Sequence, residues 1–203
     1  MHVVLLMVGA HTGEKRRENI LQAATKGVVI LIEPVPFLFK RLSQTYAAFP
    51  NITFLNYCVS PRPGKISFFA PTEEAIKVCP WGDQLGSMSA DHAVRHNPAL
   101  APYIEEIQVE ALTFPQLLDK FNIISLDVLF TDVEGYDTTL LPHFPFNLVL
   151  PKRIVFEYKH SDGTFNIGRN LGKLLIMLDE LGYDMRIMDD ENCLAARRPA
   201  LTG

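Results

Sequence analysis

The chain has 203 residues, 48% of them hydrophobic, with 14 prolines spread along it; that is enough to bury one substantial core and predicts a single domain over residues 1–203. A formal net charge of −4 without a dense Lys/Arg stripe gives no electrostatic reason to expect nucleic acid or an anionic membrane as partner. Cys58, Cys79 and Cys193 are odd in number, far apart and without metal-type spacing, which predicts no disulfide and a reducing, cytoplasmic setting.

Val3 to Val8 is apolar but lacks a basic leader and runs into a glycine turn, so it reads as a first strand rather than a signal peptide or a membrane span. Gly9-Ala10-His11-Thr12-Gly13-Glu14 and a helical stretch to about Ala24 follow. Glycines there permit a tight turn and bring backbone N–H groups close to a ligand at a helix start. The spacing is neither the dinucleotide fingerprint nor a Walker motif, and Lys15-Arg16-Arg17 reads as a solvated helix face. Val28 to Ile32 is a second apolar strand, and it ends on Glu33, 24 residues after Gly9. That is close to the separation at which an acid reaches ribose hydroxyls in βαβ nucleotide sites. Pro34 and Pro36 open a helix to about Ala47 with Phe37, Leu38 and Leu42 inward. Ile52 to Val59 is predicted as one strand, and Ser60 to Gly64 as a turn into a β segment, Lys65 to Phe69.

Over residues 71–104 the periodicity fades, and the segment is predicted to be an irregular, lid-like insert with substrate contacts, carrying Trp81, Gln84, Ser87 and Ser89. His92 and His96 share one helix turn, yet no third ligand stands near them in sequence; they are expected as surface histidines and no metal site is predicted. Ile107 to Leu112 is a short strand, and Thr113 caps a helix to about Phe121.

Leu126 to Asp137, LDVLFTDVEGYD, carries the chemistry. A short apolar run closes on Asp132, Glu134 and Asp137 around Gly135, three acids where one helix cap needs one. An unpaired buried charge is costly, so these acids belong just past the strand end, where open α/β sheets bind ligands. Arg153 to Glu157 is the next strand and ends in Glu157, Lys159 and His160. Asn166 to Leu181 is an amphipathic helix, Tyr183 to Met188 and Cys193 to Ala196 form a closing hairpin, and residues 198–203 are predicted to be a disordered tail.

Strands alternating with helices and a final hairpin predict a mostly parallel sheet with an antiparallel edge. VGAHTGE (Val8 to Glu14), IEPVPF (Ile32 to Phe37), CVSPRPG (Cys58 to Gly64), QLGSM (Gln84 to Met88), TDVEGYD (Thr131 to Asp137) and FEYKH (Phe156 to His160) occur in this order. Together they resemble the FkbM family of S-adenosylmethionine-dependent methyltransferases over nearly the whole chain. The resemblance implies the class I methyltransferase fold, a Rossmann-like three-layer α/β sandwich with a seven-stranded sheet, and O-methylation of a hydroxyl on a small molecule or sugar. It also implies that Gly9, Ala10, His11, Thr12 and Gly13 wrap the methionine part of the cofactor and that Glu33 holds the ribose hydroxyls. Val59 and Ser60 would then border the adenine, Pro34 and Ser87 complete the cofactor contacts, and Asp132 with Glu134 faces the sulfonium and the acceptor. The family pattern has Asp immediately before Val-Gly-Ala, where this chain has Met7. A non-catalytic binding or scaffold module with the same fold is therefore the alternative, and Met7→Asp is expected to tighten cofactor binding unless Asp132 already serves. A nucleotide-dependent oxidoreductase is disfavoured by the glycine spacing.

Acceptor activation needs a base, and Asp132, Glu134, Glu157 and His160 are the candidate catalytic residues. His160 offers a group titrating near neutrality, and Glu134 reaches that range if Asp132 crowds it. A Mg²⁺ route through the neighbouring acids is ranked below the metal-free one.

Overall fold

The apolar runs form the middle of a seven-stranded sheet in the order β3-β2-β1-β7-β8-β10-β9. The strands, described for residues 1–199 in a computed structural model, are β1 (His2–Val8), β2 (Val28–Ile32), β3 (Ile52–Leu55), β7 (Ser125–Thr131), β8 (Arg153–Glu157), β9 (Tyr183–Ile187) and β10 (Asn192–Arg197). All neighbours pair in parallel except β10, which is antiparallel to both β8 and β9. This is the predicted class I methyltransferase architecture with its antiparallel edge hairpin. Between them lie β4 (Cys58–Val59), β5 (Gly64–Pro71) and β6 (Ile104–Leu112), a separate three-stranded sheet in the order β4-β6-β5.

Strand alternation assigns the two faces of β1. Val3, Leu6 and Val8 join the core formed with α4 (Phe114–Lys120), α5 (Asp137–Leu140) and α6 (Arg169–Glu180). Leu5 and Met7 point the other way, into a cluster with Ile20 of α1 (Arg17–Ala24), Leu42 of α2 (Pro36–Thr45), Tyr46 and Phe130. Helices therefore cover both faces, and both are dry. Thr113 opens α4 with a full capping box to Gln116, as its position before an amphipathic stretch predicts.

Three expectations change. The single strand expected from Ile52 to Val59 is broken at Asn56, whose side-chain amide donates to the carbonyls of Glu33 (2.8 Å) and Pro34 (3.0 Å) and turns the chain into the small sheet. The helix expected from Asn166 starts at Arg169 instead, because the Asp162 carboxylate accepts from the backbone N–H groups of Gly168 and Asn170 and fixes the entry there. The tail expected to be disordered from residue 198 is tied at its first residue: Arg198 N donates to Gly182 O and the guanidinium pairs with Asp184 and Asp179; residues 200–203 lie outside the described residues.

The segment between β5 and β6, expected to be irregular, is folded. It contains 3-10 turns at Glu73–Lys77, Gly82–Gln84 and Pro98–Tyr103, and the short helix α3 (His92–His96). Ala75, Leu85, Ala93 and Leu100 form its own apolar cluster, and reciprocal backbone bonds between Phe69 and Ser87 pin it to β5. Among the described residues no helix is long and apolar enough to cross a membrane.

Candidate active site

The ends of β1 and β7 meet at Asp132, whose N–H donates to Val8 O at 3.0 Å. Gly9 has φ +79°, and a Cβ there would lie 1.8 Å from the Asp132 carbonyl oxygen, so only glycine lets the two strand exits touch. After Asp132 the chain reverses through Glu134 (φ +52°) and Gly135 (φ +85°). A left-handed glutamate is an uncommon conformation that costs on the order of 1 kcal/mol or more. Here it places the Glu134 carboxylate between three clefts.

The first cleft is lined by Val8, Gly9, His11, Lys15, Glu33, Pro34, Val59, Phe68, Gln84, Met88, Asp132 and Glu134, among others. The lining combines apolar side chains such as Val59, Phe68 and Met88 with the acids Glu33, Asp132 and Glu134. Of the residues expected to bind the cofactor, it gathers Gly9, His11, Glu33, Pro34, Val59 and Asp132. The others sit elsewhere. Ala10 is in the core beside Met7, Thr12 lines an outer cleft, and Gly13 is a turn residue whose carbonyl accepts from the Tyr46 hydroxyl. Ser60 bonds to the backbone of Arg62, and Ser87 opens on the far side of the Glu134 turn. In QLGSM the cleft takes Gln84, Gly86 and Met88, the residues of the other parity. Lys15, expected to be merely solvated, lines this cleft and the next.

Glu33 is buried, and its two oxygens accept from the N–H groups of His11 (2.8 Å) and Val35 (2.9 Å). Burial nevertheless raises its pKa, and only in part do those bonds oppose it. Asp132 and Glu134 are raised too, first by burial; for Glu134 the charges of Asp132 and Asp137 add to it, so crowding acts in the expected direction. Asp137 is pushed up to about 7 by burial. Its Oδ2 accepts from Val133 N at 3.3 Å, closing the acidic turn rather than facing a cleft.

On the other side of Glu134, a second cleft brings together Trp81, His96, Glu157, Lys159 and His160. His92, expected on the surface, is only 3% exposed; its Nε2 lies 2.9 Å from Glu134 Oε2 and its Nδ1 3.2 Å from Thr164 Oγ1. The rings of His92, His96 and His160 pack with centroids 4.7 to 5.3 Å apart. Burial, then the neighbouring imidazoles, hold His160 down at about 4, so it does not titrate near neutrality as the sequence suggests. Its Nδ1 accepts from Phe165 N at 2.7 Å, which puts the proton on Nε2, 3.4 Å from Glu157 Oε1. The proton-bearing nitrogen of His160 therefore lies beside the Glu157 carboxylate.

The methyltransferase FkbM domain family matches residues 8–185. The chain belongs to that family. Comparison with curated proteins gives no match. Among solved structures, precorrin-6y C5,15-methyltransferase from Geobacter metallireducens is similar at TM-score 0.50 and 12% identity, over 97% of this chain and 81% of that one. Fibrillarin from Aeropyrum pernix, with natively bound S-adenosyl-L-methionine, has TM-score 0.46 and 11% identity, over 95% of this chain and 64% of that one. A methyltransferase from Aquifex aeolicus has TM-score 0.46 and 9% identity, over 95% and 80%. The first of these likenesses speaks for the fold.

This FkbM-domain protein is an S-adenosylmethionine-dependent methyltransferase. Its first cleft fits the cofactor on chemical grounds: Glu33, Asp132 and Glu134 are carboxylates held above their ordinary range mainly by burial, and a ligand carrying an ammonium and a sulfonium compensates such a set. Met7 is no argument against binding, because its side chain packs in the core away from that cleft.

The acidic cluster should also set the pH profile of stability. Glu157 is pushed up to about 10 by burial and by Glu134 and Asp132. Between pH 7 and 9 the folded protein keeps that proton while the unfolded chain has released it, so stability falls as pH rises. His92, His96 and His160, each held near 4, are neutral in the folded state over this window, and the unfolded chain keeps only a minor fraction of their protons near pH 7, so they oppose the trend weakly at its start. The melting temperature is expected to drop by roughly 5–10 °C from pH 7 to 9, at about 1.4 kcal/mol per pH unit for this one group. Glu157→Gln should flatten the curve; a native profile that is flat or rising there contradicts the assignment.

Proposed function

We propose that this methyltransferase methylates a hydroxyl oxygen of a small-molecule or saccharide acceptor. The observation that carries the reading is Glu134, shared between the cofactor cleft and the histidine-lined cleft. When bound, S-adenosylmethionine supplies the methyl group: an oxygen lone pair forms the new C–O bond while the C–S bond breaks and leaves its electron pair on sulfur.

The chain's residues align the acceptor and take its proton. In this reading Glu33 receives the ribose hydroxyls on the lone pairs left free by His11 and Val35 N–H, and the apolar side chains of Val59, Phe68 and Met88 take the adenine. Asp132 faces the cationic end and supplies the carboxylate that the first strand lacks at Met7. Glu134 accepts the hydroxyl proton: a cationic ligand favours its ionised form, and burial leaves that carboxylate poorly solvated beside the acceptor. Glu157 and His160 line the acceptor cleft, with the protonated nitrogen of His160 beside the Glu157 carboxylate.

Methyl transfer from labelled S-adenosylmethionine to a panel of alcohols, sugars, phenols, amines and thiols tests the acceptor class. Incorporation confined to amines or thiols overturns O-methylation. Glu33→Ala is expected to weaken S-adenosylmethionine binding by well over tenfold, about 2–4 kcal/mol for a lost charge-assisted pair. It should also lower stability, because the N–H groups of His11 and Val35 lose their acceptor. Glu33→Gln keeps one acceptor and should retain more of the fold. An unchanged dissociation constant by calorimetry in both variants removes Glu33 from the site.

A further inference from the structure

We propose that His92, His96 and Glu134 bind a divalent transition-metal ion at the acceptor side of the cofactor cleft. The sequence offers two histidines one helix turn apart and no third donor; the fold brings Glu134 to them across 42 residues. One donor atom from each of the three lies within 4.8 Å of the others. An ion bound at about 2.0–2.2 Å by nitrogen and oxygen ligands holds such atoms roughly 3.0–3.5 Å apart, a closure within reach of side-chain rotation. Two imidazoles and one carboxylate suit zinc, iron(II), cobalt or manganese and leave positions for a further ligand.

Three details of hydrogen bonding favour this set. His92 Nδ1 is 3.2 Å from the Thr164 hydroxyl, so an Nδ1–H donated there leaves the Nε2 lone pair on the side of Glu134, the outer-shell arrangement that orients metal-binding imidazoles. His96 Nε2 is buried and has no hydrogen-bond partner among the described residues; ring packing does not satisfy a buried nitrogen, and an ion does. Third, a second grouping of Glu134, Glu157 and His160 has suitable distances, but His160 receives Phe165 N–H on Nδ1 and carries its proton on Nε2, so it has no lone pair to give. Two lysines line the second cleft with Glu134: Lys159 is engaged by Glu191 at 2.8 Å, and Lys15 acts on the carboxylate through its charge without an ion pair to it among the described residues. Glu134 is thus a buried carboxylate that faces two imidazoles and has no salt bridge to a lysine or arginine among the described residues.

The ion's role rests on the methyltransferase reading: it would bind the acceptor oxygen and ease loss of its proton, with one Glu134 oxygen on the metal and the other left for that proton. Ion binding itself does not depend on that reading. Cobalt(II) titrated into the metal-stripped full chain should give visible absorption bands at one equivalent, with a dissociation constant in the micromolar range or below. His96→Asn, at a partly exposed position, and His92→Gln should each weaken it by at least about tenfold, with S-adenosylmethionine affinity kept. No cobalt spectrum, or equal binding by native protein and both variants, overturns the site. Calorimetry with S-adenosylmethionine alone separates this failure from that of the methyltransferase reading.

Discussion

Glu134→Gln is expected to lower methyl transfer by about two to four orders of magnitude, the usual worth of a general base, while S-adenosylmethionine affinity changes less than about tenfold. Glutamine preserves the shape of the side chain and removes its charge and its ability to take a proton. Stability should move the other way. Because burial, Asp132 and Asp137 all raise the Glu134 pKa, the native protein near neutrality bears the cost of an acid that resists ionisation, and a neutral isostere does not. The variant should therefore melt no lower than the native protein at pH 7.5. Retained turnover would remove Glu134 as the base, and a loss of turnover that merely follows unfolding would make its role structural.

Met7→Asp is expected to unfold much of the protein rather than to improve it. Met7 is 2% exposed, hydrogen-bonded on both sides of its strand in register with Leu31 and Phe130, and packed among Ile20, Leu42 and Tyr46. Losing a buried methionine costs about 2–5 kcal/mol, and a carboxylate without a partner adds a desolvation penalty on top. Against a total stability typically between about 5 and 15 kcal/mol, that loss should show as a large fall in the urea midpoint. Cofactor affinity of the folded fraction should not rise. A stable variant with tighter S-adenosylmethionine binding would mean that this strand face turns toward the ligand after all.

That reversal shows where sequence reasoning stops. The runs Val3 to Val8, Val28 to Ile32 and Val128 to Phe130 are apolar on both faces because both faces are covered, so they announce a central parallel sheet. The same property hides which face of Met7 looks at the ligand. The acids after β7 were legible because a buried strand cannot end in three carboxylates without a reason. The break at Asn56 was not, since it rests on two carbonyls more than twenty residues upstream. Nor was the burial of His92, whose partners Glu134 and Thr164 lie 42 and 72 residues downstream. Local spacing finds two histidines on one turn and has no means of finding what packs against them. Gly9 was legible as a turn glycine; its contact with the Asp132 carbonyl required the pairing of β1 with β7.

The folded segment between β5 and β6 carries His92 and His96 on one contiguous stretch, steadied by Ala75, Leu85, Ala93 and Leu100 and fastened to the small sheet at Ser87. The same stretch also reaches the other side of Glu134, since Gln84, Gly86 and Met88 line the first cleft while Trp81, Leu85 and His96 line the second. One contiguous piece of chain thus touches both compartments, so an insertion or deletion within it should disturb the two environments together, whereas the exits of β1 and β7 keep the pairing that the large sheet imposes.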